Sequence, residues 1–177
     1  PAIPPARPQG SMPTLKMPTA RGWPPGKTPV AAPGLRVNAF ATGLEHPRCL
    51  YRLPNGDILA AEAMTVVGRP RKLFDVAMHA TMARAGASGV SPNRIVLLRD
   101  ADGDGVAEIR ETFLENLNQP FGMALVGETF YVGNTDSLMA FPYKEGETRI
   151  TAPGRKLASF QGGGHWTRNL IVSPDGK

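Results

Sequence analysis

Short apolar runs, each broken by a tight-turn signal and then resumed, dominate the chain after Gly34. Cys49-Leu50-Tyr51-Arg52-Leu53 is interrupted by Pro54-Asn55-Gly56 and resumes as Asp57-Ile58-Leu59-Ala60. Gly122-Met123-Ala124-Leu125 is interrupted at Val126-Gly127 and resumes as Thr129-Phe130-Tyr131-Val132. Asn169-Leu170-Ile171-Val172 runs into Pro174-Asp175-Gly176. Each pattern predicts a strand leading into a tight turn. Further strand pairs are predicted at Arg94 to Leu98 with Ile109 to Leu114, and at Ser137 to Phe141 with Lys156 to Phe160. The turn glycines Gly127 and Gly176 lie 49 positions apart, whereas Gly56 and Gly127 lie 71 apart. The excess of 22 matches an insertion at about residues 64–90, where the strand pattern lapses. Within it Leu73, Phe74, Ala77, Met78, Ala80 and Met82 predict a short amphipathic helix, with His79 an ordinary member of it. Four strands in each ~40–50 residues is the period of a β-propeller blade, and a sandwich with coincidental spacing is the alternative.

Composition sharpens this picture at the N-terminus. Residues 1–34 carry about half of all the prolines and no periodicity, which predicts an extended tail ahead of blades over 35–177. Twenty glycines, eighteen prolines and 41% hydrophobic residues in a chain of 177 fit an all-β protein with many turns. The single Cys49 excludes an intrachain disulfide. No apolar run approaches ~18 residues, so no transmembrane helix is expected. The chain opens on Pro1 without a basic-then-apolar leader, which leaves a removed signal peptide and a fragment both open. The net charge of +5 is concentrated in the tail (Arg7, Lys16, Arg21, Lys27) and in the insertion (Arg69, Arg71, Lys72). No basic stripe interleaves with aromatics, so nucleic acid is not an expected partner, while an anionic small ligand is compatible.

Two stretches could carry chemistry. Asp100-Ala101-Asp102-Gly103-Asp104-Gly105-Val106-Ala107-Glu108-Ile109-Arg110-Glu111 matches the calcium-loop pattern. Its carboxylates Asp100, Asp102, Asp104 and Glu111 fall at positions one, three, five and twelve, with a glycine at six. Strands rather than helices are expected to flank it, so it reads either as a structural calcium site in a hairpin turn or as a solvated turn. In Gly162-Gly163-Gly164-His165-Trp166-Thr167-Arg168, three glycines free the backbone beside an imidazole able to take a proton near neutral pH. His165 is therefore the candidate base; His46, just before Pro47, has no comparable setting. Nucleophile elbow, histidine-rich zinc spacing and phosphate loop are all absent, which leaves the enzyme classes that need them unsupported.

The stretches GLEHPRCLYRLPNGDILAAE, NRIVLLRDADGDGVAEIRETFLENLNQPFGMAL and HWTRNLIVSPDG resemble the glucose/sorbosone dehydrogenase family, in its L-sorbosone dehydrogenase-like branch. The resemblance runs from about Val30 to the end. It implies the N-terminal blades of a six-bladed propeller that uses pyrroloquinoline quinone, oxidises sorbosone or an aldose, and works in the periplasm or outside the cell. The family's catalytic histidine falls on His165, with Pro174 and Asp175 in register. Gln119 is implied as a cofactor contact through an alignment that needs a gap, while Arg168 reads either as a cation offering charge to a cofactor carboxylate or a developing oxyanion, or as an exposed strand-end cation. The family's glucose-oxidising members carry glycine then arginine where Arg168 and Asn169 stand, and an acidic residue where Gly164 stands. The cations that hold the quinone lie in later blades. The chain by itself is therefore expected to be inactive. A non-catalytic, calcium-stabilised propeller that binds a sugar or a protein is the rival.

Overall fold

A computed structural model describes residues 18–24, 26–161, 165–173 and 175. The predicted N-terminal tail up to residue 17, the glycines 162–164, Pro174 and Gly176 lie outside the described residues. Among the described residues eight strands and one helix follow one another: β1 (Pro47–Arg52), β2 (Ile58–Glu62), α1 (Leu73–Arg84), β3 (Arg94–Arg99), β4 (Ile109–Leu114), β5 (Gly122–Val126), β6 (Thr129–Gly133), β7 (Ser137–Pro142) and β8 (Arg155–Ser159). They form two four-stranded antiparallel meanders, sheet 1 in the order β1-β2-β3-β4 and sheet 2 in the order β5-β6-β7-β8. The chain is thus mostly β, and its sheets do not close on each other. None of its described helices is long and apolar enough to cross a membrane.

The tight turns follow their sequences. At the β1–β2 turn Gly56 takes φ +97° and Leu53 N–H donates to the Asp57 carbonyl at 2.8 Å, closing the hairpin. Gly127, at φ +56°, does the same work between β5 and β6. Alternation along each strand then sends one set of side chains between the sheets. Leu59, Ile95, Leu97 and Phe113 from sheet 1 meet Met123, Phe130, Val132 and Phe141 from sheet 2. Phe113 and Phe130 pack edge to face at 5.4 Å, and Phe130 meets Tyr51 in the same way at 6.2 Å. Tyr51 also accepts the backbone N–H of Leu125 at 3.0 Å, so the first strands of the two sheets, β1 and β5, are tied together.

Two expectations need correction. The helix of the insertion forms, started by Asp75, whose carboxylate accepts the N–H groups of Arg71 and Lys72. It is not an amphipathic packing helix: none of its residues is buried, and Leu73 and Phe74 stand 87% and 70% exposed. Its apolar residues are spread around the axis rather than gathered on one face. Its C-terminal end is held by Ala20 N–H on the Arg84 carbonyl and by Arg84 on the Thr19 hydroxyl. The second correction concerns Asn169–Val172, predicted as a strand. It pairs with no strand among the described residues and lies instead across the outer face of sheet 2.

Candidate functional site

Meander topology gives each sheet two ends with different contents. One end carries the tight β1–β2 and β5–β6 turns and the β3–β4 turn. The other collects the starts of β1 and β5, the ends of β2 and β6, the insertion and the segment from His165 onward.

At this second end the backbone is unusually constrained. His46 and Gln119, just ahead of β1 and β5, take φ +52° and +47°, which costs a non-glycine residue about 1 kcal/mol or more. Both conformations are held by hydrogen bonds. The His46 carbonyl accepts the N–H of Ala63, while Gln119 donates its N–H to Asn93 Oδ1 at 2.9 Å and its side-chain amide to the Met64 carbonyl at 2.8 Å. Trp166 reaches the same place from the far end of the sequence, donating its indole N–H to the Thr65 hydroxyl at 2.8 Å. Its ring meets Phe121 edge to face at 6.3 Å, and the guanidinium of Arg48 lies over it, 5.3 Å from the centroid. Segments around residues 48, 65, 119 and 166 therefore converge on the rim of sheet 1, at Met64 and Thr65.

Glycine makes the approach of the last segment possible. Gly122 and Gly133 are cross-strand partners in sheet 2, and the Gly122 N–H donates to the Arg168 carbonyl at 3.0 Å. A Cβ on Gly122 would stand 2.5 Å from that same carbonyl oxygen, and one on Gly133 would also collide with it. The covering backbone thus needs a bare strand end beneath it. His165 sits at the start of this segment with its side chain exposed. Arg168 is committed to holding the loop: it donates to the carbonyls of His165 at 2.7 Å and Gln161 at 3.1 Å, and lies over the Phe160 ring. At the same end Asp136 stays ionised. Burial pushes its carboxyl upward, but hydrogen bonds from Asn118 and Ser137 outweigh it and hold the group below the usual range.

The acidic loop lies at the opposite end, in the β3–β4 turn. Asp100 accepts the N–H groups of Gly103 and Gly105, Asp102 that of Asp104, and Asp104 that of Val106. One oxygen from each of Asp100, Asp102, Asp104 and Glu108 falls within 4.8 Å of the others. The expected fourth carboxylate, Glu111, is not among them. It lies in β4 opposite Leu97 and faces Arg149 at 4.0 Å. A helix leaving the loop would bring position twelve back over it, whereas a strand starting at Ile109 carries Glu111 about 10 Å beyond Glu108. Glu108, at position nine, takes the place.

His165, Arg168 and Gln119 thus share one end of the molecule, and the Asp100 loop does not join them. Thr65, Asn93, Arg48 and the Gly122–Gly133 pair were missed by sequence reasoning. Only the glycines carried a signal, being glycines at strand positions. A Trp166–Thr65 bond spans 101 residues and leaves no local trace.

No protein-family model and no curated protein matches the chain. Two solved structures share its fold. One is the holo form of the pyranose dehydrogenase PQQ domain from Coprinopsis cinerea, with TM-score 0.58 and 16% identity over 81% of this chain. The other is a Trichoderma reesei protein of Carbohydrate-Active Enzymes Family AA12, with TM-score 0.56 and 21% identity over 83%. The chain spans 29% and 32% of their lengths. The chain therefore shares the fold of part of each of these two proteins.

Proposed function

We propose that this chain supplies the N-terminal blades of a quinone-dependent sugar or aldehyde dehydrogenase, a six-bladed propeller acting in the periplasm or outside the cell. The observation that carries the reading is the convergence of the His165 segment, Gln119 and the Met64–Thr65 rim on one end of the two sheets. An exposed histidine, one residue before an indole that carries the Arg48 guanidinium on its face, suits a flat, anionic acceptor such as pyrroloquinoline quinone. When bound, the quinone supplies the hydride acceptor. His165 takes the proton from the hydroxyl of sorbosone, as its hydrate, or of an aldose. Arg168 holds the His165 carbonyl and so fixes where the imidazole starts. Gln119, locked on Met64, shapes the floor of the site. Calcium would sit at the other end on Asp100, Asp102, Asp104 and Glu108, stiffening the β3–β4 turn. Residues 1–177 alone are expected to be inactive, since two sheets leave the site open to water on one side.

The test uses the full-length protein that contains this chain, loaded with pyrroloquinoline quinone and calcium and assayed by dye reduction with sorbosone and aldoses. His165→Ala is expected to lower kcat by ~10²–10⁴-fold with quinone uptake unchanged. Turnover within a few-fold of the parent overturns the role of His165. One observation favours a second reading, a non-catalytic calcium-stabilised module that binds a sugar or protein: the polar groups of Arg168 and Gln119 are already engaged by backbone carbonyls. Sugar binding without any quinone uptake would select it.

A further inference from the structure

We infer that Arg48 is a carboxylate-receiving residue of the site at the His165 end. Its place in the backbone is special. Pro47 pairs with Glu62 and Cys49 with Ala61, so Arg48 is the extra residue of a β-bulge in β1, an edge strand of sheet 1. A bulge re-aims a side chain that would otherwise follow the alternation of its strand, and bulges recur beside active sites for that reason. Here the re-aimed guanidinium lies over the face of Trp166, 5.3 Å from its centroid, one residue along from His165. Trp166 is in turn fixed by its hydrogen bond to Thr65 and its contact with Phe121.

Arg48 differs from the neighbouring cations in what it leaves free. Arg94 is paired with Glu62 and Glu45, and Arg168 donates to backbone carbonyls. Arg48 is exposed and has no carboxylate partner among the described residues. A guanidinium held against an indole keeps its N–H edge available. That edge matches a carboxylate in a bidentate fork, with little rotamer freedom left to lose. This inference rests on the proposed dehydrogenase reading, which offers two carboxylate sources: the acidic groups of the quinone, and the sugar acid formed when an aldehyde is oxidised.

The experiment is a binding titration on the full-length protein, with no turnover required. Pyrroloquinoline quinone and, separately, gluconate are titrated against the protein while tryptophan fluorescence is followed. A Trp23→Phe background leaves Trp166 as the reporter within this chain. Arg48→Gln is expected to raise Kd about 10–100-fold for the ligand whose carboxylate Arg48 receives, with Arg48→Lys in between. The parent's affinity should also fall with added salt more steeply than the Gln variant's. Thermal melts establish that both variants are folded. Loss confined to the quinone arm assigns the cofactor carboxylate, and loss confined to the gluconate arm assigns the product. A parent that binds quinone or gluconate, with Arg48→Gln within threefold in both arms, overturns this inference and leaves the dehydrogenase reading standing. A parent that binds neither ligand overturns both.

Discussion

The same register position is solved in opposite ways in the two sheets. In sheet 1 it is the pair Pro47–Glu62, in sheet 2 the pair Gly122–Gly133. Glu62 is fully buried and pairs with Arg94 at 2.6 Å and Arg110 at 3.7 Å, while it accepts the N–H of Glu45 at 2.6 Å. The glycine pair offers no side chain at all, and the Arg168 carbonyl rests on its backbone. Both arrangements receive a covering segment on the outer face of a sheet, residues 38–46 over sheet 1 and residues 165–172 over sheet 2. Charge docks the first and absence of bulk docks the second. A charged socket tolerates small displacements, because solvent and the partly exposed arginines adjust; two backbones in contact tolerate none.

That difference is broken most strongly at Gly133. Gly133→Val puts branched carbons where the Arg168 backbone lies, and should lower stability by about 3 kcal/mol or more. Denaturant unfolding reads the loss, and limited proteolysis near residue 168 should rise before global unfolding. An unchanged midpoint would mean the segment is not seated on sheet 2. On sheet 1, Glu62→Ala leaves Arg94 without its buried partner and should cost roughly 2–3 kcal/mol, reduced from a fully buried case by the partial exposure of Arg94. Glu62→Gln should cost less, because the amide oxygen still accepts the Glu45 N–H.

Acid should separate the sheets further. Arg99 donates to both oxygens of Asp57 at 2.7 Å and holds that carboxyl below the ordinary range, burial acting in the opposite direction and Asn55 adding a further hydrogen bond. Since the folded pKa is the lower one, the stabilisation is fully present above the unfolded value of about 4 and disappears as pH falls through the folded pKa. Melting temperature should therefore drop as pH falls below about 4, and Asp57→Asn should flatten that limb while costing about 1–2 kcal/mol at neutral pH. In the corresponding turn of sheet 2 the carboxylate is Glu128, which is exposed. The smallest effect is expected at Trp166→Phe, which keeps an aromatic face for Arg48 and loses the indole N–H bond to Thr65. About 1 kcal/mol should be lost, read by thermal melts.

Strand positions were legible because alternation and turn chemistry are local. Pro54-Asn55-Gly56 and Val126-Gly127 mark hairpins wherever they occur, and the extra residues between β2 and β3 showed as a change of pattern. Where periodicity was thin, it misled. Leu73, Phe74, Ala77 and Met78 looked like a packing stripe, but a stripe buries itself only if something stands opposite, and none of the described residues does. Asn169–Val172 has the composition of a strand, yet pairing needs a partner edge, and the segment meets a sheet face instead. The Asp100 loop was legible as an acidic turn. Its fourth carboxylate was not, because the choice between Glu108 and Glu111 depends on whether a helix or a strand leaves the loop.

The sequence by itself determined the class of fold, the tight turns, the acidic loop and the candidate histidine, all of which are written in neighbours a few residues apart. Tertiary structure alone decided that Gln119 and Trp166 end on neighbouring residues, Met64 and Thr65, that Arg168 is occupied, and that Arg48 is swung onto an indole. Those outcomes depend on contacts between segments up to about a hundred residues apart. Each is a competition for a fixed number of donors and acceptors. Which partner wins is set by where the two sheets bring the backbone, and no local pattern records that.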